Sequence, residues 1–250
     1  MSYGKWIGGA LGWAGGGPIG GVIGFALGAL IDNLNGPAPA EPQARTHRPY
    51  QRPHDTTGGD VAMSLVVLTA AVLNADGRVT QRELDHVRRF FVQQFGAARA
   101  QELLLVLRDV LKRDIPVGQV CEQIRQYAPH PLRLQLVHYL IGVAQADGHT
   151  HAAEREMVRR IAHYLGVSEQ DLESMGAMFH RTNTESAYTI LEVEPKASDE
   201  DVKAAYRRMA KKHHPDKVSH LGEEFQKAAA EKFKKVQDAW ARVARERGIK

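Results

Sequence analysis

A His-Pro-Asp tripeptide near the C-terminus combines side chains that could do chemistry. His214 and Asp216 could serve as a base and its orienting carboxylate, a pair that needs an activated nucleophile for hydrolysis. No G-x-S-x-G or comparable nucleophile setting occurs in the chain. Pro215 disfavours helix at His214, which places the tripeptide in a loop after a helix. Loops on a rigid scaffold often carry recognition, and the sequence favours that role here.

Four acidic residues in a duplicated pattern are the second candidate site. Asp76 and Asp147 each precede a glycine, and each is followed seven residues later by a glutamate, Glu83 or Glu154. One interpretation is structural, with Asp-Gly turns and a capping box between Thr80 and Glu83. The other is that all four carboxylates converge on a divalent cation such as Ca²⁺, although the loops are too short for an EF-hand. Both interpretations remain open at this point.

Helices on either side must position the His-Pro-Asp loop. The helix before it begins after Ser198 and has an apolar face and a cationic face. The cationic face contains Lys203, Arg207, Arg208, Lys211 and Lys212. The helix after the loop carries apolar residues at spacings of three and four, among them Phe233, Val236 and Trp240. These patterns predict an antiparallel helical hairpin with an exposed connecting loop.

The hairpin is similar to a J domain, the Hsp70-binding module of DnaJ-type co-chaperones. Four segments carry the resemblance, in order and spacing: Tyr188-x-x-Leu191, Ala205 to Ala210 (AYRRMA), His214 to Lys217 (HPDK), and Phe233 to Trp240. The resemblance covers Thr182 to about Arg245, with Met209 and Trp240 in place of a common Leu and Tyr. No Gly/Phe-rich segment and no Cys-rich zinc repeat accompanies it, unlike in general client-binding members.

This resemblance implies a function through a partner. A J domain binds an ATP-bound Hsp70 (DnaK in bacteria) and stimulates its ATP hydrolysis, so the chain itself is expected not to be an enzyme. By motif position, the essential residues would be His214, Pro215 and Asp216. Electrostatic docking and a flank contact would come from Lys203, Tyr206, Arg207, Arg208, Phe233 and Lys234. Nucleic acid is not expected as a partner, because aromatic residues do not interleave the basic face.

The middle of the chain, residues 60–180, has helical periodicity throughout and predicts a compact all-α core. Its duplicated helix–Asp-Gly–helix pattern resembles the TerB-like (tellurite-resistance) helical domain. That resemblance favours a divalent cation at Asp76, Glu83, Asp147 and Glu154. No other cofactor is expected.

The N-terminal segment predicts a membrane anchor. Trp6 to Ile31 spans 26 residues without a charge, enough as a helix to cross a hydrocarbon core of roughly 30 Å. Glycines recur on it at every fourth position: Gly8, Gly12, Gly16, Gly20, Gly24 and Gly28. Such a stripe lets two membrane helices approach closely, so a homodimer through this glycine zipper is expected.

Two alternatives to the anchor are a flexible glycine-rich leader and a signal peptide cut near Ala38-Pro39-Ala40. The apolar stretch is long for a signal peptide, and Asp32 interrupts the approach to the site. Arginines follow the segment, whereas Lys5 is the one charged side chain that precedes it. The positive-inside rule then predicts that the N-terminus lies outside and the bulk of the chain in the cytoplasm.

The expected organisation is therefore all-α: a glycine-zipper transmembrane helix (1–32), a Pro-rich linker (33–59), a TerB-like helical bundle (60–180) and a J domain (182–250). The net charge of +4 does not indicate a nucleic-acid binder, and the single Cys121 excludes an internal disulfide. This order resembles the membrane-anchored J-proteins of bacteria. The resemblance implies a single-pass protein of the bacterial inner membrane, a co-chaperone that recruits a cytoplasmic Hsp70 to that membrane. The alternative is a metal-responsive stress sensor in which the TerB-like domain detects the signal and the J domain is the output.

Overall fold

The computed structural model describes residues 19, 58–146, 151–179, 184–221 and 223–249. Within these ranges the chain is helical and contains no strand, which confirms the all-α prediction. The first six helices are α1 (Gly58–Leu73), α2 (Gln81–Val110), α3 (Val117–Tyr127), α4 (His130–Ala144), α5 (Ala152–Tyr164) and α6 (Glu169–Ala177). They are followed by α7 (Thr184–Leu191), α8 (Asp199–Lys212), a 3₁₀ helix (Pro215–Leu221) and α9 (Glu223–Arg247).

Helices α1 to α6 form a bundle around two almost wholly apolar helices, α1 and α4. Ten residues of α4 are buried, and α1 packs against α2, α3, α4 and α5. Fully buried side chains such as Phe91, Leu103 and Leu107 of α2 pack in the same core. A helix that is apolar all round must be covered on every side, which is why α1 and α4 lie at the centre.

The long helix α2 is interrupted at Gly96, where φ is 76° and ψ is 163°. A residue with a side chain rarely adopts this backbone conformation, whereas glycine does so without steric cost. The break changes the direction of α2 between its two apolar stretches, so both of them can contact the bundle.

Helices α7, α8 and α9 form a second core. Ala187, Leu191, Val202, Met209 and Val236 are all buried in it. Arg247, at the end of α9, joins it to α7 and to the segment before α8. Its guanidinium donates to the Tyr188 hydroxyl at 2.7 Å and to the Ala197 carbonyl at 2.7 Å.

The C-terminal unit is docked on the bundle. Val218 of the 3₁₀ helix and Ala229 of α9 are buried in the same cluster as the bundle core. Ser174 of α6 donates to the Ile190 carbonyl at 2.9 Å, and Gln170 donates to the Glu192 carbonyl at 3.3 Å. The sequence did not predict how the two domains pack, and the structure shows that they share buried surface.

In the described part of the chain, no helix is long and apolar enough to cross a membrane. The predicted glycine stripe, Gly8 to Gly28, and the linker to residue 57 lie outside the described residues, as does Asp147.

Candidate functional site

The His-Pro-Asp loop begins where α8 ends. Ser198 caps the start of α8 by accepting a hydrogen bond from the Asp201 amide at 3.1 Å, and His213 is the C-cap residue. Pro215 then opens the 3₁₀ helix, as expected for a residue that cannot continue the hydrogen-bond ladder of α8. The predicted end of the cationic helix before His214 is therefore confirmed.

The loop is held by its own hydrogen bonds. The Asp216 amide donates to His214 Nδ1 at 3.3 Å, and the Asp216 carboxylate lies 3.5 Å from the same nitrogen. The Lys217 amide donates to the His214 carbonyl at 3.1 Å, and the Ser219 hydroxyl donates to the Asp216 carbonyl at 2.9 Å. These bonds fix His214 and Asp216 relative to each other without burying them.

Both side chains face solvent, with 47% of His214 and 76% of Asp216 exposed. The Phe233 ring of α9 lies edge-on to the His214 imidazole, with ring centroids 5.6 Å apart. Phe233 thus joins the loop to α9, and its predicted contact with a partner stays a prediction. The geometry suits contact with another macromolecule, because both side chains are accessible and a hydrogen bond already links the two residues before binding.

The predicted cationic face is present on α8. Lys203, Arg207, Arg208 and Lys211 are exposed, opposite the buried Val202, Ala205 and Met209. Tyr206 is half-buried and stacks on Trp240, with ring centroids 4.8 Å apart. Lys234, in the first half of α9, is exposed as well.

Lys212, assigned to the same face from the sequence, instead turns towards the bundle. Its ammonium pairs with Asp171 of α6 and, at 2.6 Å, with Glu192, and both carboxylates are more than nine-tenths buried. Arg208 also donates to the Glu192 carbonyl, at 3.1 Å. The pKa of Asp171 is lowered overall: burial raises it, but the bonds from Lys212 and Ser168 outweigh burial.

Glu192 was missed by the sequence reasoning, although it follows directly after α7. It adopts a φ of 56°, uncommon for a residue with a side chain, and this conformation aims its carboxylate at Lys212. A glutamate has no intrinsic preference for this conformation, so the local sequence does not predict the contact between Glu192 and Lys212.

Three of the four predicted acidic ligands lie in the described ranges. The capping box between Thr80 and Glu83 forms as predicted, with the Thr80 amide donating to Glu83 Oε2 at 2.7 Å. Asp76 accepts a bond from the Arg78 amide at 2.9 Å. Glu83 and Glu154 are both fully buried.

Neither carboxyl oxygen of Glu154 has a hydrogen-bond partner in the described part of the chain. Burial, together with the nearby Glu83 and Asp76 carboxylates, raises the pKa of Glu154 to about 8. The three residues therefore face a common region. Among the described residues, however, no group of three or more His, Cys, Asp or Glu side chains is placed to hold a metal ion, and cation binding stays a prediction.

The comparisons with known proteins agree with this organisation. A model of the co-chaperone DjlA transmembrane domain matches residues 1–48, one of the tellurite resistance protein TerB matches residues 62–177, and one of the DnaJ domain matches residues 186–247.

Curated relatives carry the same name in several bacteria. Co-chaperone protein DjlA of Vibrio cholerae is 29% identical, with 72% of this chain and 75% of the relative covered. The Shewanella oneidensis protein of that name is also 29% identical with the same coverage, and that of Mannheimia succiniciproducens is 26% identical over 70% of this chain and 76% of its own. No solved structure matches.

The hairpin, its exposed loop and the docked helical bundle define a J-domain co-chaperone that also carries a TerB domain and a membrane-anchor domain. The chain belongs to the DjlA family of co-chaperones. Members of the J-domain family are not themselves enzymes.

Proposed function

We propose that this chain stimulates ATP hydrolysis by a cytoplasmic Hsp70 of the DnaK type and recruits it to the bacterial inner membrane. The observation that carries the proposal is the exposed His214–Asp216 pair, linked by a hydrogen bond, beside an exposed cationic face. The bundle covers Lys212 and His213 but leaves Lys203, Arg207, His214 and Asp216 exposed to solvent. Opposite potentials on the two proteins would raise the encounter rate, and the loop would bias the conformation of the partner.

The test is steady-state ATP hydrolysis by DnaK with the full chain in detergent micelles. The wild type should stimulate hydrolysis, and His214→Gln should remove the stimulation because the imidazole at the loop is lost. His163→Gln is a matched control, since His163 is exposed on α5, away from the loop. Full stimulation by His214→Gln would refute the proposal.

The cationic face has a separate test. Arg207→Glu reverses one exposed charge, so the concentration needed for half-maximal stimulation should rise, and most strongly at low salt. The maximal rate should change little, because the loop is intact. An unchanged concentration dependence at low salt would exclude electrostatic docking through α8.

We further propose that the anchor dimerises along the glycine stripe, with the N-terminus outside. The proposal is supported by the recurrence of glycine at every fourth residue and by the match to the DjlA transmembrane domain. Gly16→Leu should weaken cross-linking of the dimer in membranes, whereas Gly21→Leu, off the stripe, should not. The topology is tested with Ser2→Cys in a Cys121→Ser background. In cells with a permeabilised outer membrane and an intact inner membrane, this cysteine should react with a thiol reagent that does not cross the inner membrane.

A second candidate function is metal sensing by the TerB domain with the J domain as output. It is favoured by Glu154, whose buried carboxyl oxygens lack partners beside Glu83 and Asp76. Calorimetric titration of the full chain with Ca²⁺ should then give binding heat that Glu154→Gln abolishes and Glu156→Gln, exposed on the same helix, retains. An absence of heat at millimolar Ca²⁺, Mg²⁺ and Mn²⁺ would dismiss this function.

A further inference from the structure

A cavity of about 550 Å³ lies between the TerB bundle and the J domain. Its walls come from α2, α4 and α9, and Phe179 contributes from the segment after α6. The apolar part of the lining includes Phe90, Leu136 and Tyr139. The volume is in the range of small-molecule sites, and the lining combines this apolar part with a polar part.

The polar part of the lining contains a buried cation. Lys232 of α9 is 3% exposed, and its ammonium donates to Gln135 Oε1 on α4. No carboxylate of the described residues lies within ion-pair distance of it; Glu231 is nearby but exposed at the cavity wall. A buried ammonium without an acidic partner is costly, and one amide oxygen compensates it incompletely.

Neutral hydrogen-bonding groups also lie in the cavity wall near this cation. His138 lines the cavity and stacks on Phe179, with ring centroids 4.6 Å apart. Burial, and then Lys232 and His213, lower the pKa of His138 well below its usual value, so the imidazole is neutral. Gln94, also in the lining, has a buried side-chain oxygen with no partner in the described part of the chain. Lys227 and Glu231, also in the lining, are exposed and carry opposite charges. Lys232 is thus the one buried cation of the described lining, beside neutral hydrogen-bonding groups.

We propose that this interdomain cavity binds a small organic carboxylate, which pairs with Lys232 and packs its apolar body against Phe90 and Phe179. The one buried cation matches a monoanion. A phosphate dianion would need a second buried cationic donor, whereas Lys227 is exposed at the wall, where Glu231 offsets its charge. The ligand would contact both α4 of the TerB bundle and α9 of the J domain. This site is separate from the exposed loop and does not depend on the proposed action on Hsp70.

Phenylacetate and its neutral isostere phenylacetamide are suitable probes, used in calorimetric titrations of the full chain in detergent micelles. Phenylacetate should bind at least about tenfold more tightly than phenylacetamide, a difference of about 1.4 kcal/mol. Lys232→Met keeps the length of the side chain and should abolish that preference. Lys235→Met removes an exposed charge about one helical turn further along α9 and should retain the preference for phenylacetate.

The pH dependence gives a test on the wild type alone. Burial lowers the pKa of Lys232 to about 7, and a bound carboxylate would raise it, so binding should take up a proton at pH 8. His138 and His213, which face Lys232, are already neutral there. Affinity should therefore fall by up to about tenfold per pH unit as the pH rises above 7, until the pH passes the raised pKa of Lys232 in the complex.

The proposal is overturned by equal affinity for phenylacetate and phenylacetamide, by undiminished binding in Lys232→Met, or by no binding at millimolar phenylacetate. A flat pH profile between pH 7 and pH 9 would also overturn it, whatever the variants do.

Discussion

The ion pairs of Lys212 with Asp171 and Glu192 should couple the stability of the two domains. Lys212→Met leaves two carboxylates, each more than nine-tenths buried, without their shared cation. At an effective dielectric constant of about 20, unit charges about 4 Å apart attract by about 4 kcal/mol, and removing one partner of a buried pair costs about 3–5 kcal/mol. Because Lys212 is one-fifth exposed, we expect a loss near the lower end, about 3 kcal/mol.

Urea denaturation of the full chain, followed by circular dichroism, measures this loss. Lys211→Met is the control, because Lys211 is the exposed neighbour on α8 and its loss should change the free energy of unfolding by less than about 0.5 kcal/mol. A double-mutant cycle with Asp171→Asn should give a coupling energy of about 1–3 kcal/mol. The backbone amides just after Lys212 should also exchange faster with solvent in Lys212→Met.

Two results would refute this reasoning. One is a loss for Lys212→Met no larger than that for Lys211→Met. The other is strict additivity of Lys212→Met and Asp171→Asn, since the two side chains would then not interact in the folded state.

Three further results are expected. Gly96→Ala should lower the free energy of unfolding by about 1–3 kcal/mol, because φ at this position is 76° and alanine would be strained there. Urea denaturation measures the change, and an unchanged midpoint would show that alanine is not strained at this position. Burial raises the pKa of the Cys121 thiol to about 12, so iodoacetamide at neutral pH should modify the unfolded chain and leave the native chain unmodified. Burial, with Lys232 and Lys212, lowers the pKa of His213 to about 3. The unfolded chain therefore binds a proton there that the folded chain does not. Stability should fall by up to about 1.4 kcal/mol per pH unit from pH 6.5 towards pH 3, with a shallower slope in His213→Gln.

The helices and the loop were predictable from sequence because their causes are local. Pro215 ends α8, Ser198 caps its start, and the apolar spacing of α9 determines its buried face. The capping box at Thr80 and Glu83 follows from four consecutive residues for the same reason.

The interface between the domains was not predictable in this way. Lys212 belongs by periodicity to the exposed face of α8, and its pairing depends on Asp171, 41 positions earlier in the chain, and on the backbone of Glu192. Lys232 likewise lies on a helix rich in lysine, where an exposed position is the ordinary expectation. Its burial follows from the docking of α9 on α4, which no short segment encodes.

The shared burial of Val218 and Ala229 with the bundle core bears on whether the J domain is interchangeable. A J domain transplanted from another protein would dock here only if it supplied apolar residues at the positions of Val218 and Ala229 and a cation where Lys212 meets Asp171. A chimera without them would carry an intact loop on a hairpin that lacks these contacts with the bundle. An intact loop alone therefore does not make another J domain a substitute for this one.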